Sequence, residues 1–337
     1  MRKRSHHLSS SMYQGIGYEL DEQAAYDYVH NGYLFAPRTV LKGRLKRPYI
    51  ISKPKDVDLK DIVARVRQTV HDSMENLEGQ RRAVMFTGGF DSTFIALLAQ
   101  QSGAKVTAIT VQFDKFNVAT VRDAVQAADA LGMTRHVINV TTAEFIAAFE
   151  ALTEVTDEPI LVLELALVYA AIKKYDRRIA GDVFLSGMGS DHWYGNIALE
   201  ERSGGFQAKV DWAVNNSEAH QRVAQLFGYR FIFPFLSKSM LELSLIIPDD
   251  LKKNKKLLRA LAVVNSLPAR GAKTELQIPE LMKRALIKVF GRRAWPEAVS
   301  DVESSPDARS CALRKIVLGL WLEKAKKRPA IYKLNFV

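Results

Sequence analysis

Val84-Met85-Phe86-Thr87-Gly88-Gly89-Phe90-Asp91-Ser92-Thr93 is the stretch that decides the fold. An apolar run stops at a threonine and two glycines. An aspartate and two hydroxyl residues follow, and then the apolar-rich Phe94-Ile95-Ala96-Leu97-Leu98. That order predicts a strand, a tight glycine turn and a helix. Glycine lets a backbone approach a bulky anion closely, and the first amides of a helix have no partner inside it. The helix dipole adds partial positive charge at the same end, so the turn suits phosphate. It has neither the G-x-x-x-x-G-K-S/T spacing of the Walker loop nor the G-x-G-x-x-G of dinucleotide folds. The plainer alternative is an ordinary glycine turn, and the Asp-Ser-Thr run weighs against it.

Working outward, the same alternation continues. A helix is predicted at about Leu59–Leu77, a strand at Arg82–Phe86, a helix at Ser92–Gln101 and a strand at Val106–Phe113. Val118, Val121, Val125, Ala128 and Leu131 recur at helical spacing. His136–Val140 reads as a strand, and Thr142–Thr153 as a helix capped by Thr141 or Thr142. Pro159–Lys174 is apolar nearly all round, which predicts a buried helix, and Asp182–Ser186 is a strand. This order implies an α/β fold, a parallel sheet covered by helices on both faces. Ligands of such sheets bind at the carboxyl ends of the strands, where the Thr87 and Ser186 loops fall. From about Asn215 onward the pattern is helix after helix, a helical C-terminal part. Residues 1–14 are basic and rich in Ser and His, as disordered tails are, and Lys53–Lys60 reads as a linker. The expected division is therefore 1–56, tail and connecting sequence, and 57–337, the main domain.

The chain has 337 residues, 47% hydrophobic, and a net charge of +11, which suits an anionic ligand or an acidic partner. No aromatic-interleaved basic box accompanies the charge, so nucleic acid is not the expected partner. Cys311 is the only cysteine, which excludes an internal disulfide and a cysteine metal cluster and fits a reducing compartment. The longest apolar run, Ile160–Ile172, is too short to span a bilayer and contains Glu164. The N-terminus has no apolar signal core, so a soluble cytoplasmic protein without a membrane partner is expected.

Specific motifs add a resemblance. Thr87-Gly88-Gly89-Phe90-Asp91-Ser92 resembles the S-G-G-x-D-S pyrophosphate loop of ATP pyrophosphatases, with Thr87 for the first Ser. Ser186-Gly187-Met188-Gly189-Ser190-Asp191-His192-Trp193-Tyr194-Gly195 is similar to the S-G-E-G-S-D-E-x-x-G-G loop in the synthetase domain of asparagine synthetases. In the same order, Arg230–Leu236 resembles the family's R-x-P-F-L-D segment and Pro248–Lys252 its P-x-x-x-K turn. Lys255–Arg259 resembles its K-x-x-L-R helix start, and Leu267-Pro268 the following L-P. Over roughly residues 57–280 the chain looks asparagine synthetase-like, a family that includes β-lactam synthetases and lasso-peptide cyclases. Tyr18–Leu45 resembles the bridge from that family's glutaminase half to its synthetase half. The glutaminase half is expected to be missing, because Met1 is followed by Arg2 and Cys311 is the sole cysteine. The amine would then be free ammonia, a separate amine substrate or a group on the same molecule, and a separate glutaminase or pathway protein would be the partner that supplies ammonia.

The resemblance implies roles by position. Thr87, Gly88, Gly89 and Ser92 would cradle the phosphates of ATP, and Asp91 and Asp191 would hold Mg2+ against them. Met85, Val111 and Gly187 would contact the adenosine. Lys255 would stabilise charge during acyl transfer, or Lys256 if the helix shifts by one. The plainer readings are a helix cap for Asp91, a solvent-facing loop for Asp191, strand core for Met85 and Val111, and a solvated run for Lys252–Lys256. Met188 departs from the family, which carries a glutamate or tyrosine there. A thioether can neither take a proton nor bind an ammonium strongly. His192, Asp157 and Glu158 are candidates for a relocated base, His192 first because it titrates near neutrality. The implied activity is AMP- and pyrophosphate-forming amide ligation, in which an amine attacks an adenylated carboxylate, in natural-product or peptide biosynthesis. The alternatives are an enzyme modifying a tRNA nucleobase and a degenerate, non-catalytic synthetase acting as a binding partner.

Overall fold

Among the described residues five runs form the strands: β1 (Arg81–Met85), β2 (Lys105–Phe113), β3 (Thr134–Val140), β4 (Val183–Leu185) and β5 (Arg230–Ile232). The computed structural model describes residues 20–31, 39–40, 61–75, 77–155, 163–190, 206–252, 256–264, 280–301 and 305–327. All strand pairs are parallel, in the order β3-β2-β1-β4-β5. Among the described residues helices precede the first strand, connect each strand to the next, as parallel pairing requires, and follow the last. They are α1 (Glu22–Asn31), α2 (Ile62–Asp72), α3 (Phe90–Gln101), α4 (Val118–Ala130), α5 (Thr142–Val155), α6 (Leu163–Lys174) and α7 (Arg177–Ala180), then α8 (Phe206–Leu226), α9 (Lys238–Ser244), α10 (Asp249–Lys252), α11 (Lys256–Val264), α12 (Glu280–Ala294) and α13 (Pro306–Lys327).

The chain divides into two compact units: residues 49–145 with 164–277, and residues 1–48 with 146–163 and 278–337. The first holds the sheet, which is covered on both faces. On one face Val84, Ala108 and Leu185 pack with Val66, Phe94 and Ala124 of α2, α3 and α4. On the other, Phe113 meets the ring of Phe145 from α5, and Phe184 meets Tyr175 and Tyr229. Burial on both sides explains why Val106–Val111 carries no charged residue, its two threonines being buried with the rest. The α5 start is a reciprocal cap: the Thr141 amide donates to Glu144 Oε2 at 2.8 Å, and the Glu144 amide to Thr141 Oγ1 at 3.2 Å.

The second unit is helical. Ile316, Leu320 and Trp321 of α13 are buried, and Gly319 admits the carbonyl of Ala294, which a Cβ would strike. Arg314 Nη1 donates to Val29 O at 3.0 Å and His30 O at 2.6 Å, the open carbonyls at the end of α1. None of the described helices is long and apolar enough to cross a membrane.

The helical expectation from Asn215 onward fails at Arg230–Ile232, which is β5. Three residues are too few for a two-residue period to stand out, and they sit between α8 and the 3-10 turn Pro234–Leu236. The helix before it also starts earlier, at Phe206.

Candidate active site

The chain leaves β1 toward β2 and β3 on one side, then returns to β4 on the other. The crevice at the carboxyl ends of β1 and β4 is therefore the topological switch point, where open α/β sheets bind ligands. Both glycine loops singled out in the sequence lie there.

The β1 ladder closes with the Phe86 amide on Ile109 O at 2.8 Å. Gly88 then takes φ +71°, where L side chains are strained, and a Cβ on it would come within 2.9 Å of Ala124 Cα in α4. Gly89 is the N-cap of α3 and has no side chain with which to cap it. Two hydroxyls tie the turn instead. Ser92 Oγ donates to Gly89 O at 3.2 Å and accepts from the Thr87 amide at 3.3 Å. Thr87 Oγ1 accepts from the Gly89 amide at 3.3 Å and lies 3.4 Å from Ser92 Oγ. Ser92 is only 5% exposed, whereas Thr87, Gly88, Gly89 and Asp91 are half-buried. Ser92 thus holds the loop's shape, and the positions with more access are the glycines, Thr87 and Asp91. Asp91 sits in the first turn of α3, where the helix dipole favours an anion.

The β4 loop closes on this turn. The Ser186 amide donates to Ile232 O at 3.0 Å, and the Met188 amide to Ser186 Oγ at 3.2 Å. A Cβ on Gly187 would stand 2.8 Å from Asp91 C and 2.9 Å from Ser92 N. Gly189, at φ +102°, lies against Leu236. The loops after β1 and β4 are therefore in backbone contact, and Asp91 and Gly187 are brought together. Met188 is half-buried and packs against the apolar core beside the sheet. That packing gives its thioether a place that a carboxylate could occupy only at a desolvation cost.

Met85 is half-buried at the end of β1, and Val111 is buried in β2. Asp191, His192 and Lys255 lie outside the described residues, as do Asp157 and Glu158. Among the described residues no group of three or more His, Cys, Asp or Glu side chains could hold a metal ion. Asp91, at the loop, suits a cation that takes one or two carboxylates and completes its shell with phosphate oxygens and water.

Two features were not singled out in the sequence. A cavity of about 620 Å³ is lined by Asp61, Arg67, His71, Leu98, Gln101 and Leu261. It opens at the far end of α3 from the Thr87 loop, so it is not the phosphate site. His220 of α8 is buried, with Phe231 and Phe233 edge-on to its ring and Nδ1 at 2.8 Å from Asn216 O. Burial holds its pKa down at about 4, so it is neutral at physiological pH. The sequence offers no signal for its burial beyond the apolar neighbours of a helix.

Residues 64–206 match the family model described as asparagine synthase. Proteins from Mycobacterium bovis and Mycobacterium tuberculosis, each named "Putative asparagine synthetase (glutamine-hydrolyzing)", are 34% identical over 114 residues. That match takes in 34% of this chain and 17% of the relative. Among solved structures, an NMN synthetase from Francisella tularensis is similar with a TM-score of 0.38 at 15% identity, over 84% of this chain and 99% of that one. An NH3-dependent NAD synthetase from Campylobacter jejuni gives 0.37 at 14%, over 83% and 99%.

Proposed function

We propose that this chain, which carries an asparagine synthase domain over residues 64–206, is an ATP-dependent ligase that adenylates a carboxylate and passes it to an amine. The observation that carries the reading is the backbone contact between the two glycine loops at the switch point, Gly187 against Asp91 and Ser92. One loop opens a helix whose first turn suits phosphate. The other brings β4 beside it, so a nucleotide lying across the crevice meets both.

In this reading Thr87, Gly88 and Gly89 face the phosphates, while Ser92 fixes their loop. Met85, Val111 and Gly187 line the adenosine side. Asp91, with Asp191, would hold Mg2+. When bound, the ion neutralises charge on the leaving pyrophosphate. The carboxylate oxygen attacks the α-phosphorus, the α–β bond breaks, and pyrophosphate leaves. An amine nitrogen then attacks the acyl carbon, AMP departs with the C–O electron pair, and the nitrogen loses a proton. Lys255 would stabilise the charge of that second step, and His192 would take the proton. The carboxylate and amine belong to natural-product or peptide assembly in this proposal.

The test is product analysis over a panel of carboxylates and amines with the full chain. Formation of AMP and pyrophosphate dependent on a carboxylate supports the proposal. ADP and phosphate as the products would overturn it.

A further inference from the structure

We infer that Asn117 is a positioning residue for the nucleoside end of the site, standing in for a strand that β1 does not supply. The inference rests on the ATP-binding reading above. β1 stops at Met85, paired with Ile109, and the Phe86 amide on Ile109 O is the last bond of that ladder. β2 runs on to Phe113, still paired on its other side with β3 through Val140. In a strand, alternate residues turn their N–H and C=O to the same neighbour. Ile109 faces β1, so Val111 and Phe113 face the same way, past the end of β1. The strip Val111–Phe113 is therefore a strand edge at the switch-point crevice, next to the turn that starts at Thr87.

Asn117 fills that edge. It occupies the N-cap position of α4 but makes no side-chain cap bond there. Its amide reaches back instead: Nδ2 donates to Val111 O at 2.9 Å, and Oδ1 accepts from the Phe113 amide at 2.7 Å. One side chain thus supplies both the donor and the acceptor that a neighbouring strand would have given. The rest of the turn is equally tied. The Asp114 amide donates to Val140 O at 2.9 Å, and the Phe116 amide to Phe113 O at 2.9 Å. Asp114, at φ +43°, accepts the Thr142 amide at 2.7 Å. Strained backbone held by so many bonds is a fixed wall. Phe116 and Val118, flanking Asn117, are 37% and 50% exposed. The Phe116 ring packs on Phe113 at 5.1 Å between centroids, so the turn carries exposed apolar surface next to the edge, which suits a flat purine, and Asn117 sets its position.

Half-ligands separate the two ends of the site. AMP reports the nucleoside end and inorganic pyrophosphate the Thr87 loop. Both are titrated calorimetrically into the full chain, as wild type, Asn117→Ala and Asn117→Asp, with thermal melts alongside. The Asp variant keeps an acceptor for the Phe113 amide and sets an oxygen against Val111 O. Loss of two hydrogen bonds that fix the wall should weaken AMP roughly tenfold or more, with pyrophosphate within about twofold of wild type. Unchanged AMP affinity in both variants would overturn the inference and leave the ATP reading standing. So would a parallel loss of AMP and pyrophosphate, which marks a general loosening. A wild type that binds neither half-ligand nor ATP would overturn both.

Discussion

Gly187→Ala is the perturbation that bears most directly on the contact between the two loops. Its backbone lies outside the left-handed region, so alanine meets no conformational strain there, and the cost is steric alone. The new Cβ would stand 2.8 Å from Asp91 C, 2.9 Å from Ser92 N and 3.0 Å from Asp91 Cβ. Ordinary contact needs about 3.5 Å or more, so the β4 loop and the first turn of α3 must separate by roughly half an ångström or more. The atoms struck are mainly backbone, which cannot turn aside as a flexible side chain could. Overpacking of this kind typically costs about 1–3 kcal/mol, and urea denaturation should show a loss in that range. Mg-ATP affinity should fall by about tenfold or more, because the displaced turn carries the amides proposed to face phosphate. Gly79→Ala is the control: φ is +68° with nothing within 4 Å, so it carries strain without collision and lies away from the crevice. A Gly187→Ala protein that melts and binds Mg-ATP as the wild type does would refute the contact, and with it the reason for placing a nucleotide across both loops.

Burial of His220 has a pH consequence. Its pKa is lowered to about 4 in the fold, against an unfolded value near 6.5, so the unfolded chain binds more protons between the two. The stability it contributes is whole above about pH 6.5 and is lost as pH falls toward 4, on the order of 3 kcal/mol. His220→Leu should flatten that part of the wild-type stability profile, and an unchanged slope would place the ring in water. His192→Ala should slow product formation by about 10²–10⁴ while adenylate formation survives, in single-turnover experiments that follow the two steps separately. Equal loss of both steps would move His192 out of the base role. Lys255→Ala should likewise impair transfer more than ATP binding. Glutamine should be inert with this chain alone, since its one cysteine, Cys311, lies within the C-terminal helix α13; glutamate released from glutamine by the purified chain would contradict that.

The sheet was legible because its signals are local. Val84–Phe86 followed by Gly88 and Gly89 marks a strand end, and the run Val106–Val111 has the composition of a strand buried on both faces. The helical spacing of Val118, Val121, Val125, Ala128 and Leu131 likewise announces α4, although the face it buries is Val121, Ala124, Ala127 and Ala128, with Val118 exposed. β5 was not legible, because Arg230–Ile232 owes its conformation to pairing with Val183–Leu185 rather than to any pattern of its own. The role of Asn117 was hidden for a related reason. Before a helix, asparagine reads as a cap, and only the early end of β1 leaves Val111 and Phe113 for it to bind. Met188 reads in sequence as a departure from the family's glutamate or tyrosine, and here its side chain packs against the core. Arg314 on the end of α1 joins residues 285 apart, which no local pattern reveals.

Calorimetric titration of Mg-ATP into the full chain, wild type against Asp91→Ala, tests the central claim most directly. Asp91 is half-buried in the first turn of α3, so its truncation should spare the fold, and equal melting temperatures would verify that. The expected result is saturable binding to the wild type in the micromolar to millimolar range and a loss of about tenfold or more in the variant. No binding to the wild type, or equal binding to both proteins, would contradict the assignment of the Thr87 loop to ATP.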